Sequence, residues 1–103
     1  MNLIDGIKID VTSAELKTTL EQRRDHHREK TAFYKQQVAN MEQQGVAQHN
    51  VTNDPVASLK SSWRQHEERQ AFFAYLAEHV IPEATYRLSE HDLTRLELLS
   101  KYL

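Results

Sequence analysis

The sequence predicts an all-α fold: a long antiparallel two-helix hairpin, a short C-terminal helix and a short N-terminal strand or arm, joined as a dimeric helical bundle. Three observations carry this expectation. Positions that are apolar except at His66 and Gln70 recur at alternating spacings of three and four along residues 56–80. Turn formers are scarce, with two glycines and two prolines in 103 residues. Each of those four, Gly6, Gly45, Pro55 and Pro82, stands where an element must break.

Composition agrees. Apolar residues make up 39% of the chain and mean hydropathy is −0.73, which suits long solvated helices that bury one stripe. The length predicts one domain over 1–103. A net charge of −2 and a pI near 6.3 argue against a general binder of nucleic acid or anionic membrane. The absence of cysteine excludes disulfides and thiolate metal sites. The opening MNLIDGIKID carries Asp5 and Asp10 and lacks the apolar run of a signal peptide. The longest apolar run, AFFAYLA at 71–77, is too short to span a bilayer. The expectation is a cytoplasmic protein.

Taken in order, Ile7, Ile9 and Val11 alternate with Lys8 and Asp10, a strand pattern. Thr12 and Glu15 frame a capping box that starts the first helix at Ser13, and Gly45 ends it after Gln44. Residues 50–54 are turn material, with Asp54 as N-cap and Pro55 as first residue of a helix that Pro82 stops after Ile81. Ser89 as N-cap with Asp92 three residues on starts a third helix over 89–103, with Leu93, Leu96, Leu99 and Leu103 along one side.

The second helix presents a coiled-coil seam: Val56, Leu59, Trp63, His66, Gln70, Phe73, Ala77 and Val80. The first offers Leu16, Leu20, Arg23, His27, Lys30, Tyr34 and Met41, with Val38 beside it. Folding back places Leu16 and Leu20 against Ile81 and Ala77, Tyr34 against Trp63, and His27 against Gln70 and Ala71, about one turn from His66. Residues 20–34 also align without gaps on 59–73, with five identities that include His27 with His66 and Phe33 with Phe72. A pseudo-twofold hairpin and chance both account for this.

Phe72, Tyr75 and Leu76 lie off the seam, so the second helix needs cover on another side. Tyr34, Trp63, Phe72, Phe73, Tyr75 and Leu76 are the expected core or interface anchors, and Phe33 is a further aromatic outside the seam. A single N-terminal strand with no obvious second strand in the chain predicts pairing with the same strand of a twofold mate through Ile7 and Ile9.

The stretch EQRRDHHREK at 21–30 has no aliphatic or aromatic side chain and interrupts the seam. One reading makes it a specificity device. Polar seam residues Arg23, His27 and Lys30, with Glu67 and Glu68 as counter-charges, fix register at some cost in stability. Histidines in such a seam also open it to pH, since imidazole titrates near neutrality. The alternative is a mid-bundle site for one transition-metal ion, zinc or iron, around His27 and His66 with Asp25 and Glu67. Neither long helix contains the Glu-x-x-His turn of bundle metal sites, and adjacent His26 and His27 diverge by about 100°. The stretch nets +1 with histidine neutral, too little for phosphate-dominated binding. No phosphate loop or nucleophile motif suggests an enzyme. The functional expectation is a small homodimeric interaction or scaffold protein. It has itself and an unidentified protein as partners, neither nucleic acid nor membrane, and no cofactor.

Overall fold

A computed structural model of the protein describes residues 6–43 and 55–102. It is mostly helical, with one short antiparallel sheet. The elements are β1 (Lys8–Thr12), α1 (Ser13–Gln43), α2 (Pro55–Glu78), β2 (Thr85–Ser89), α3 (Glu90–Arg95) and α4 (Leu99–Tyr102). Gly45, the turn at 50–54 with Asp54 as its cap, and Leu103 lie outside the described residues. Contacts group the chain up to Arg23 with the chain from Phe73 onward into one compact unit, and Arg24–Phe72 into a second.

In the first unit, the expectation of a strand without a partner in its own chain is overturned. β1 pairs antiparallel with β2, with Ile9 opposite Leu88 and Val11 opposite Tyr86. This pairing supplies the backbone partner for which a twofold mate was invoked. The second strand is legible after the fact: Tyr86 and Leu88 alternate with Thr85, Arg87 and Ser89. It is only five residues long and runs directly into a helix cap, which hid it. Val11 and Leu88 are buried on the inner face. On the outer face Arg87 Nε donates to Asp10 Oδ1 at 3.0 Å. That guanidinium holds the Asp10 carboxyl below its usual range.

The core of this unit is mostly apolar: Val11, Leu16, Leu20, Phe73, Ala77, Leu88, Leu93 and Leu98 are all buried, with Ser13 and Thr19 buried beside them. Leu16, Leu20 and Ala77 are buried as the seam predicts, whereas Ile81, expected against Leu16, is 65% exposed. α2 ends at Glu78 rather than Ile81 because Pro82 disfavours helical backbone at the residue before it. The last turn tightens, with the His79 amide donating to the Leu76 carbonyl, and Glu83 takes a left-handed φ of 58°. The returning chain is pinned by a reciprocal pair: the Ser13 amide donates to the Ala84 carbonyl at 2.8 Å, and the Ala84 amide donates to Ser13 Oγ at 3.2 Å.

The two caps behave differently. Ser89 forms the full capping box with Asp92: the Asp92 amide donates to Ser89 Oγ, and the Ser89 amide donates to Asp92 Oδ2 at 2.9 Å. Thr12 forms half of one, accepting from the Glu15 amide at 3.1 Å, while the Glu15 carboxylate instead accepts from the Tyr102 hydroxyl at 2.9 Å. Burial and that carboxylate together push the Tyr102 hydroxyl's pKa up.

The expected single helix over 89–103 is broken at Leu96. The Leu98 amide donates to the Leu93 carbonyl and the Glu97 amide to Thr94, a Schellman ending. Glu97 occupies the left-handed position, with φ 59°, that glycine normally marks. With no glycine there, the stop has no obvious sequence signal. Leu93 and Leu98, which flank the turn, are both buried, and Arg23 reaches Glu97 at 3.3 Å.

The Ser89 amide, by donating to the Asp92 carboxylate, holds its pKa below the usual value, so this contribution to stability is full above the ordinary carboxylate range and is lost as pH falls from there through the lowered value. Asp92→Ala is expected to cost about 1 kcal/mol at neutral pH. A thermal melt followed by circular dichroism should show the loss, and the difference from wild type should shrink on acidification below about pH 4.

Candidate functional site: a histidine pair between antiparallel helices

The second unit, Arg24–Phe72, holds the polar stretch. Within it α1 and α2 run antiparallel, as contacts in reverse order show. His27 reaches His66, Lys35 reaches Trp63 and Glu67, and Glu42 reaches Lys60. Among the described residues of this unit the buried side chains are His27, Thr31, Val38 and Val56, only two of them apolar.

His66 sits between His27 and Tyr34, which are two turns apart on α1. The Tyr34 ring lies nearly parallel to the His66 ring, with centroids 5.5 Å apart and planes at 12°. On the other side, His27 Nδ1 lies 2.8 Å from His66 Nδ1. His27 is 5% exposed, and His26 packs edge-on against it with centroids 5.1 Å apart. Thr31, one turn along, buries its hydroxyl by donating to the His27 carbonyl at 2.8 Å.

Several expected placements change. His27 meets His66 directly, rather than facing Gln70 and Ala71 one turn away. Tyr34 meets His66, and Trp63 instead stacks under Lys35 Nζ, 5.1 Å from its ring centroid. Lys30, placed on the seam by spacing, is exposed, and Thr31 occupies that level. Spacings of four then three (27, 31, 34) fit a seam as well as three then four (27, 30, 34), and a short β-branched residue leaves room for a ring where lysine does not. Thr31 is the site residue that sequence reasoning missed. The anchors divide: Phe73 belongs to the core of the first unit, Tyr34, Trp63, Phe72 and Leu76 are half-buried, and Tyr75 is exposed.

Of the four residues offered as metal ligands, the structure brings two together. The Asp25 carboxylate takes Arg24 at 2.9 Å and Arg28 at 3.6 Å, and the Arg24 guanidinium holds its pKa below the usual range. Glu67 Oε2 accepts from the Trp63 indole at 3.2 Å and pairs with Lys35 at 3.4 Å. Among the described residues no group of three or more histidines, aspartates or glutamates is placed to hold a metal ion. Every buried side-chain nitrogen and oxygen there has a hydrogen-bond partner.

The chemistry available is proton sharing. A bond between two imidazole nitrogens needs an N–H on one and a lone pair on the other. The rings therefore carry opposite tautomers at Nδ1, or one ring is the cation and donates. Compared with known protein families, curated proteins and solved structures, the chain has no match.

If the pair orders this seam, His66→Ala should cost about 2 kcal/mol, because it removes both the bond to buried His27 and the Tyr34 stack. His26→Ala, at an exposed position, should stay within about 0.5 kcal/mol. Urea denaturation of the two variants beside wild type measures the contrast, and equal effects would sink the assignment.

Proposed function

We propose that the protein is a small homodimeric helical interaction module or scaffold, with no catalytic chemistry of its own. One observation carries this reading: large apolar side chains stand outside, on backbone or rings that are themselves held. Tyr75 is 60% exposed and Ile81 65% exposed. Yet the Tyr75 ring is stacked on His79 with centroids 4.1 Å apart, and His79 Nδ1 lies 2.7 Å from the Tyr75 carbonyl oxygen. The Ile81 amide donates to the Tyr86 hydroxyl at 2.8 Å. Anchors fixed before binding lose little conformational freedom on binding, which is why ordered aromatics dominate interface energetics.

A second copy is the partner favoured, because a twofold contact needs one self-complementary patch and uses it twice. The buried polar groups support the scaffold reading. They hydrogen-bond internally, as groups that order a seam do. No helix among the described residues is long and apolar enough to cross a membrane.

Size exclusion with light scattering at micromolar concentration should give about twice the chain mass of 12.1 kDa. Tyr75→Ser should weaken the dimer at least about tenfold, since aromatic anchors contribute on the order of 2 kcal/mol or more, and should leave the melt of the diluted chain unchanged. A wild-type mass of one chain would retire the dimer and turn attention to a different protein on the same patch. Adding zinc or iron to metal-free protein should leave the melting temperature unchanged. A rise with near-stoichiometric metal would overturn the non-metal reading.

A further inference from the structure

Beside the start of α1 the first unit carries a groove of about 210 Å³, with Ser13, Ala14 and Lys17 on one wall and Val80, Pro82 and Glu83 on the other. The groove is preformed. The Ser13 amide donates to the Ala84 carbonyl at 2.8 Å and the Ala84 amide to Ser13 Oγ at 3.2 Å, which ties the two walls together. Its apolar surface comes from Ala14, Val80 and Pro82. Its volume falls below the roughly 300 Å³ from which small-molecule sites begin, so it suits one inserted side chain. Ile81, between Val80 and Pro82 in the chain, is 65% exposed and forms a ridge alongside.

The walls carry opposite charges. Lys17 and Glu83 are both exposed, and neither makes an ion pair with a described residue, the other included. Glu83 also holds a left-handed backbone, φ 58°, which glycine would adopt without strain. Its carboxylate contributes nothing to that turn, since it bonds to no described residue.

We infer that this groove is the face through which two copies meet, with Ile81 of each chain seated in the other's groove and Lys17 of each paired with Glu83 of the other. A twofold rotation exchanges the two walls, so a face with a cation on one wall and a carboxylate on the other is complementary to itself. A face of one sign would repel its own copy. Ridge and groove are exchanged by the same rotation. The inference rests on the homodimer proposed above and gives it a location.

The test follows the mass of the full chain by size exclusion with light scattering across a dilution series. Lys17→Glu and Glu83→Lys should each weaken the wild-type dimer at least about tenfold, because each change acts twice in a twofold contact and turns attraction into repulsion. Mixing the two variants should restore wild-type affinity, since the reversed charges then meet with opposite sign at both contacts. A wild-type dimer that neither reversal weakens, or that mixing does not restore, would overturn this face and leave the dimer standing. A monomeric wild type would overturn both. In wild type alone, a carbodiimide applied to equal parts of isotope-labelled and unlabelled chain should join Lys17 of one to Glu83 of the other. A covalent dimer without that link would also overturn the face, whether or not the variants fold.

Discussion

The ladder between β1 and β2 is the constraint on which the first unit depends. It brings residues 8–12 against residues 85–89, segments separated by most of the chain, and places Val11 and Leu88 on one inner face. Loop closure over that separation is costly in entropy and is recovered only when the apolar side chains beneath the ladder pack together. Leu20, Phe73, Leu93 and Leu98, each at most 2% exposed, provide that packing. At roughly 25 cal/mol for each Å² of apolar surface removed from water, fully burying one such side chain is worth about 2 kcal/mol, comparable to a good hydrogen-bond pair and not screened by salt.

The second unit is stabilised differently. Its buried positions include a histidine and a threonine, and its flanks carry ion pairs such as Lys60 with Glu42. Exposed pairs of that kind contribute between nothing and about 1 kcal/mol each. On the proposed reading, what the polar seam supplies is selectivity. A ring pair that bonds only when His66 meets His27 penalises slipped registers, which would leave a buried polar group without a geometric match. His27 and His66, which fall at matching positions when residues 20–34 are aligned on 59–73, touch through the same atom.

How much was legible follows the strength of the local code. The start of α2 at Pro55 and the Ser89–Asp92 box were both readable, because each rests on side chains acting within one or two turns. β2 was not read, because a five-residue amphipathic strand leading straight into a helix cap offers only two inward residues as signal. The break after Arg95 was not read either, since Glu97 holds a backbone conformation that glycine would have announced. At the site, the two histidines were found by residue type and approximate register. Their direct contact, and the replacement of Lys30 by Thr31 in the seam, depended on how side chains of different bulk interlock, which spacing alone cannot decide.

Both strands pass into helices without a connecting residue: Thr12 is followed at once by Ser13 of α1, and Ser89 by Glu90 of α3. Each junction residue serves two masters, as a rung of the ladder and as the hydroxyl that caps the next helix. One inserted residue would turn a strand's inner face outward and also swing the following helix by about 100°. These junctions therefore leave little room for drift by insertion or deletion. Length variation among descendants of this chain should gather elsewhere, and a fusion or tag grafted at either junction would disturb two elements at once.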